Sequence, residues 1–317
     1  MYINNFDYLR HFAALMVLVS HAFVIYFGVE YEPKYQGVTA GSLAVCIFFV
    51  LSGFLINGAT DRNTHTRFVI ARVLRLYPAA IACMLVTVFL IGPIYTSLTL
   101  QEYLSSGETY GYLRNSSLVL LFQDSLPGLF LNNPFPASVN GSLWTLPVEL
   151  RAYILAAVAT FFSRGKKVVT LGIFMMLLSV FYYQKINGLA DPEMLLYVSF
   201  FAGGCLYQYG LLRKIRAVLA VVVMAFCANY FLGGTIGFVL WLVAFSIVFT
   251  VASVPQGKRL SFDFSYGMYI YAFPISQCLV LYQVNSFMSY LGLVVSITFV
   301  VSMLSWHLIE RPALRFK

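Results

Sequence analysis

Charge is what this sequence has least of. Asp, Glu, Lys and Arg make up 10% of its 317 residues, against about 25% in a soluble domain. A globule of 35.6 kDa cannot clothe its surface with so few charges, which excludes a soluble protein. Histidine is scarcer still, at four residues, so proton chemistry near neutral pH has few carriers. Cysteine numbers five, with no CxxC pair; a disulfide scaffold is excluded and no metal site is expected. Cys46, Cys83, Cys205, Cys227 and Cys278 all fall in apolar runs, where they read as small packing residues. There is no internal repeat or low-complexity tract.

What the chain does have is apolar bulk. Sixty per cent of it is hydrophobic, including 29 Phe and 22 Tyr, so disorder is excluded as well. The apolar runs are continuous rather than alternating, which argues for helices and against a transmembrane β-barrel. Ten runs qualify as spans: about 6–27, 39–57, 76–95, 143–162, 168–184, 194–209, 217–232, 235–254, 265–284 and 289–309. The expectation is one all-α, polytopic membrane domain over 1–317. The first run carries Asp7 ahead of Arg10, has interior His residues and lacks an A-x-A site, so it reads as a retained span and not a cleaved signal.

Ten spans put both termini on one side, and the charges test that count. One side would hold 16 basic against 4 acidic residues, the other 3 against 7, with Arg151 and Glu149 inside a span. The formal +8 is therefore +12 on one face and −4 on the other. By the positive-inside rule both termini are cytoplasmic. The basic excess is an orientation signal, and no nucleic-acid partner is expected. Loops are short except 96–142, on the outer side, which holds an apolar stretch (Leu118 to Phe122) and a Pro/Asn/Gly-rich one (Pro127 to Gly141). A structureless loop that long is usually functional.

Ionisable groups inside spans are costly, so those present usually face the bundle interior and work. On the first helix Arg10 and His21 lie eleven residues apart, three turns and about 20°, and so share a face with about 16 Å between their levels. His21 reads either as a hydrogen-bonded interior histidine or as a working base. In the second span, Phe48-Phe49-Val50-Leu51-Ser52-Gly53 offers small residues beside which a backbone or a ligand fits closely. Arg72 and Arg75, at i and i+3 just before Tyr77-Pro78, are either membrane anchors or a two-pronged clamp for phosphates. Glu149 lies about two turns into the fourth span and needs a partner from another helix: Arg10, Arg72, Arg75 or, indirectly, His21. Trp144, near its start, suits an interfacial anchor. His307 and Glu310 close the last span, where a structural role is expected.

In this order and at these positions, the residues resemble a known family. Arg10 and His21 on the first helix, Phe48-Phe49-x-x-Ser52-Gly53, Arg72-x-x-Arg75, Ser142-Leu143-Trp144-x-Leu146-x-x-Glu149 with Tyr153, Ser265-Tyr266-x-x-Tyr269-Ile270 with Pro274, and Glu310-Arg311-Pro312 match the membrane-bound family 3 acyltransferases, which O-acylate bacterial surface glycans. The match runs along essentially the whole chain. Two features depart from it. Many members carry a His two residues before the ninth-span Pro, where this chain has Ala272, and many carry an added outer domain. The first departure concentrates proton chemistry on His21; the second implies a stand-alone form.

The resemblance implies a mechanism. A cytoplasmic acyl-CoA, most simply acetyl-CoA, would dock its phosphates at Arg72 and Arg75, with Arg10 below. Its pantetheine arm would thread past Phe49, Ser52 and Gly53 toward His21. His21 would act as general base on a hydroxyl of a polysaccharide or lipid-linked glycan, with Glu149 orienting the imidazole or binding the acceptor, and Ser142, Trp144 and Tyr153 lining the acceptor site. Direct transfer is expected ahead of a covalent acyl-enzyme. The main competing function is a multi-span transporter of a glycan precursor or small anion. Transporters often show internal pseudo-symmetry, and none is visible here.

Overall fold

The computed structural model describes residues 4–35, 38–60, 65–117, 122–162, 166–187, 189, 191–211, 236–258 and 260–316. Helices dominate. They are α1 (Asn5–Phe27), α2 (Ala40–Thr60), α3 (His65–Val86), α4 (Gly92–Tyr95), α5 (Leu100–Ser105), α6 (Gly107–Ser117), α7 (Thr145–Phe162), α8 (Lys166–Ile186), α9 (Pro192–Gln208), α10 (Ile236–Ser253), α11 (Ser265–Val280) and α12 (Phe287–Ser305). A π-helical turn at Thr87–Ile91 joins α3 to α4, and another at Trp306–Glu310 extends α12. Lys34–Tyr35 and Val38–Thr39 form a two-residue antiparallel ladder.

Nine of the ten expected spans coincide with helices, and the other, about 217–232, lies outside the described residues. By length and composition, six described helical stretches can cross a membrane: Asn5–Phe27, Ala40–Ala59, Thr66–Tyr95, Gly141–Ala159, Lys167–Gln184 and Phe287–Phe316. Large apolar side chains such as Val168, Met176 and Met288 stand exposed on the helices. That surface suits lipid and not water. The chain is an all-α membrane protein.

The chain divides into two compact units. The first comprises Met1–Ala13, Lys34–Phe68 and Arg151–Ser261. Its centre is the crossing of α2 and α9. A side chain at Gly53 would begin 1.8 Å from the Phe200 carbonyl oxygen, and one at Gly203 would begin 2.0 Å from that of Val50. Two glycines thus let two backbones touch, the small-residue packing common between membrane helices. Asn57 donates to the Gly53 carbonyl at 2.9 Å and accepts from Gln208 at 3.2 Å. The N-terminus is tied to the segment after α10. Asn5 donates to the carbonyls of Val251 and Pro255, each at 3.1 Å, and accepts from the Gly257 N–H at 2.7 Å.

The second unit comprises Ala14–Pro33, Val69–Leu150 and Phe262–Lys317. Its core is α11, buried from Ser265 to Pro274 on every face. Such a helix is apolar all round because it lies inside the protein. Gly267 lets it close on α12, where an added Cβ would meet Ser302 at 3.0 Å. The expectation of a structureless 96–142 loop is corrected: 100–105 and 107–117 are helical. The reason is local. Thr99 and Glu102 form a reciprocal capping box that starts α5, and the buried Tyr103 fills the space beside Gly92 while donating to the Val88 carbonyl at 2.9 Å. The apolar residues 118–121 lie outside the described residues.

Candidate active site

The second unit brings His21 against the start of the fourth expected span. His21 Nδ1 and Ser142 Oγ are 3.3 Å apart. The Phe273 ring meets the imidazole edge-on, with centroids 5.1 Å apart. Ser142 reaches this position because Gly141–Trp144 forms a 3-10 turn ahead of α7. A side chain at Gly141 would begin 2.9 Å from the Phe273 ring, so glycine is what lets turn and ring close.

The turn is held by buried amides. Asn140 Oδ1 accepts from the Ser142 N–H at 3.3 Å, and Asn140 Nδ2 donates to the Ile270 carbonyl at 2.9 Å. Gln277 Nε2 donates to the carbonyls of Phe135 (2.9 Å) and Ser138 (2.7 Å), and its Oε1 accepts from Asn133 at 2.6 Å. Between those carbonyls Ala137 adopts a left-handed φ of 61°, a conformation that persists only where surrounding bonds fix it. Thr145 and Tyr269 join hydroxyls at 2.7 Å. Glu149 lies one turn further along α7, on the face of Thr145.

The two arginines of the expected clamp differ. Arg75 lies 2.8 Å from an Asp263 carboxylate oxygen, 3.5 Å from one of Glu310, and 5.7 Å from the Tyr266 ring centroid. Arg75 thus already holds two carboxylate partners within the protein. Arg72 is half-buried, and among the described residues no carboxylate pairs with it.

A profile described as an acyltransferase domain matches residues 3–307. The chain belongs to this acyltransferase family. It is 32% identical to a protein of Shigella phage Sf6 named O-acetyl transferase, over 97% of this chain and 95% of the relative. It is 31% identical to Nodulation protein 10 of Rhizobium leguminosarum bv. viciae, over 48% of this chain and 42% of that one. It is 32% identical to Acyltransferase MdmB of Streptomyces mycarofaciens, over 46% of this chain and 36% of that one. No solved structure matches.

The acyltransferase places its other expected site residues as follows. Arg10 is paired with Asp7 at 2.5 Å. Phe49 is buried and Ser52 half-buried on α2, and the space beside Gly53 is filled by the backbone of α9. The glycine therefore serves helix packing at this point. Tyr153 is buried, its ring 6.0 Å from that of Phe200. Trp144 is half-buried beside Ser142. The side chain that meets the imidazole is that of Ser142. His11 and His307 each bond a carbonyl four residues back on their own helix, at 2.7 and 2.8 Å.

Sequence reasoning missed Asn140, Phe273 and the Asp263–Glu310 pairing of Arg75. One signal was available for Asn140. Pro274 within a helix deprives the Ile270 carbonyl of its partner, which calls for a polar donor from elsewhere.

Proposed function

We propose that this acyltransferase moves an acetyl or other short acyl group from acyl-CoA to a hydroxyl of a bacterial surface polysaccharide or its lipid-linked precursor, with His21 as general base. Membership of the family supports acyl transfer, and the relative named O-acetyl transferase supports an oxygen acceptor and an acetyl group. The observation that carries the role of His21 is its contact with Ser142.

A neutral imidazole has one N–H. With Nδ1–H donating to Ser142 Oγ, Nε2 is left as the proton acceptor. Nε2 takes the proton of the acceptor hydroxyl while its oxygen attacks the thioester carbonyl carbon. The carbon–sulfur bond breaks, and the coenzyme A sulfur leaves with that proton. General-base assistance of this kind is typically worth about 10²–10⁴-fold. While Nε2 holds that proton, Ser142 Oγ accepts a hydrogen bond from the Nδ1–H of the imidazolium. Arg72 takes a phosphate of the donor at the cytoplasmic end, and Glu149 serves the acceptor side. The charge asymmetry of the sequence supports ten spans with both termini in the cytoplasm of the inner membrane.

Donor binding gives the test. Acetyl-CoA should raise the unfolding temperature of the purified protein. Arg72→Ala should weaken binding by roughly ten- to a hundredfold, since a hydrogen bond to a charged group is worth about 1.5–3 kcal/mol. Absence of any shift with acetyl-, propionyl- or succinyl-CoA would contradict an acyl-CoA donor. An unchanged affinity in Arg72→Ala would contradict the phosphate assignment alone.

A further inference from the structure

Proline at 274 leaves a defect in the most buried helix of the second unit. Proline has no N–H, so the carbonyl of Ile270, four residues earlier, loses its helical partner. Buried carbonyls are rarely left unpaired, and none can be satisfied by lipid. Here two donors from outside the helix supply the bond. Asn140 Nδ2 donates to the Ile270 oxygen at 2.9 Å, and the Cys83 thiol donates at 3.4 Å. Asn140 Nδ2 also lies 3.7 Å from Cys83 Sγ.

The asparagine is fully buried and uses both ends of its amide. Its oxygen accepts from the Ser142 N–H at 3.3 Å, capping the turn whose hydroxyl meets His21. One side chain thus links a carbonyl freed by a proline to the residue that orients the candidate base. Aspartate in its place would set a carboxylate oxygen against the Ile270 oxygen. Alanine would leave the carbonyl with only the weak Cys83 thiol donor and the turn without its cap.

We propose that Asn140 is a positioning residue for acyl transfer, latching the Ser142 turn to the carbonyl that Pro274 exposes and so holding Ser142 against His21. This rests on the assignment of His21 and Ser142 to the active site. It gives Pro274 a function: the proline makes an acceptor available at the depth where the turn must be anchored.

A double-variant cycle separates the latch from general stability. Pro274→Ala restores a backbone N–H, so Ile270 no longer depends on Asn140. Asn140→Ala should therefore lower the unfolding temperature clearly in the natural background and by much less in the Pro274→Ala background. Turnover is followed as thiol release from acetyl-CoA. Asn140→Ala alone should lower kcat by about ten- to a hundredfold, the loss expected when a reacting group is misplaced by about 1 Å, and by much less once Pro274→Ala has already taken the Ile270 acceptor away. KM for acetyl-CoA should change little, because the donor's phosphates bind elsewhere. An equal drop in unfolding temperature in both backgrounds would overturn the link to Pro274. A kcat for Asn140→Ala equal to that of the wild type would overturn the positioning role. His21→Ala turning over at the wild-type rate, or no thiol release by the wild type, would refute the underlying site assignment; the melting cycle would still decide the latch.

Discussion

Replacing Arg75 by Ala removes the shared partner of two carboxylates. The Glu310 side chain is 2% exposed and that of Asp263 16%, and the arginine between them is 17% exposed. Removing one partner of a buried pair typically costs about 3–5 kcal/mol, because the other charge is left uncompensated in a poor solvent. Residual bonds moderate the loss here. Ser305 donates to Glu310 at 3.2 Å and Ser265 to Asp263 at 2.6 Å. The lower end of the range, about 3 kcal/mol, is therefore expected. The assay is thermal unfolding in detergent, followed by tryptophan fluorescence and by retention of the monodisperse peak. Arg75→Ala should unfold several degrees below the wild type. Adding Glu310→Gln should recover most of that loss, since the amide carries no charge to strand. An Arg75→Ala protein that unfolds at the wild-type temperature and loses only acyl-CoA affinity would refute the reasoning and restore Arg75 to the phosphate clamp.

Two further outcomes test local structure. Gly203→Ala should force α2 and α9 apart, since its Cβ would lie 2.0 Å from the Val50 oxygen. Overpacking typically costs about 1–3 kcal/mol and a backbone obstacle should reach the upper end, so an unfolding temperature equal to the wild type would contradict the crossing. In the capping box, the N–H and then the hydroxyl of Thr99, at 2.9 and 2.8 Å, hold the Glu102 carboxyl below the usual carboxylate range. Its stabilisation of α5 is thus present above the unfolded-state pKa and lost as pH falls through the folded-state value. Amide protection in the first turn of α5 should fall on acidification in the wild type and be low throughout in Thr99→Ala. Equal protection in the two proteins at neutral pH would contradict the box.

The spans were legible because a membrane helix writes itself into sequence as continuous apolar residues. His21 stood out for the same reason, as an imidazole in an apolar run. The partners were less visible. Asp263 and Glu310 lie 188 and 235 residues from Arg75, and a run of arginines near a membrane entrance looks the same whether each is paired or free. Ser52-Gly53 read equally as a packing or a binding feature, and only the facing helix shows the Phe200 carbonyl packed beside Gly53. The 96–142 loop looked structureless because its helices are short and polar. Even so, Thr99 and Glu102 carried the spacing of a capping box. The anchor of the site, Asn140, lies in a Pro/Asn/Gly-rich stretch whose composition resembles any loop; its place follows from Pro274, 134 positions further on in the chain.

The central claim is that the imidazole of His21 takes the proton of the acceptor hydroxyl. The most direct test is His21→Ala expressed at the wild-type level in cells lacking the natural copy, with the acetyl esters of the surface polysaccharide measured by NMR. The esters should disappear while the protein stays folded and still binds acetyl-CoA. Esters at the wild-type level in His21→Ala would contradict it.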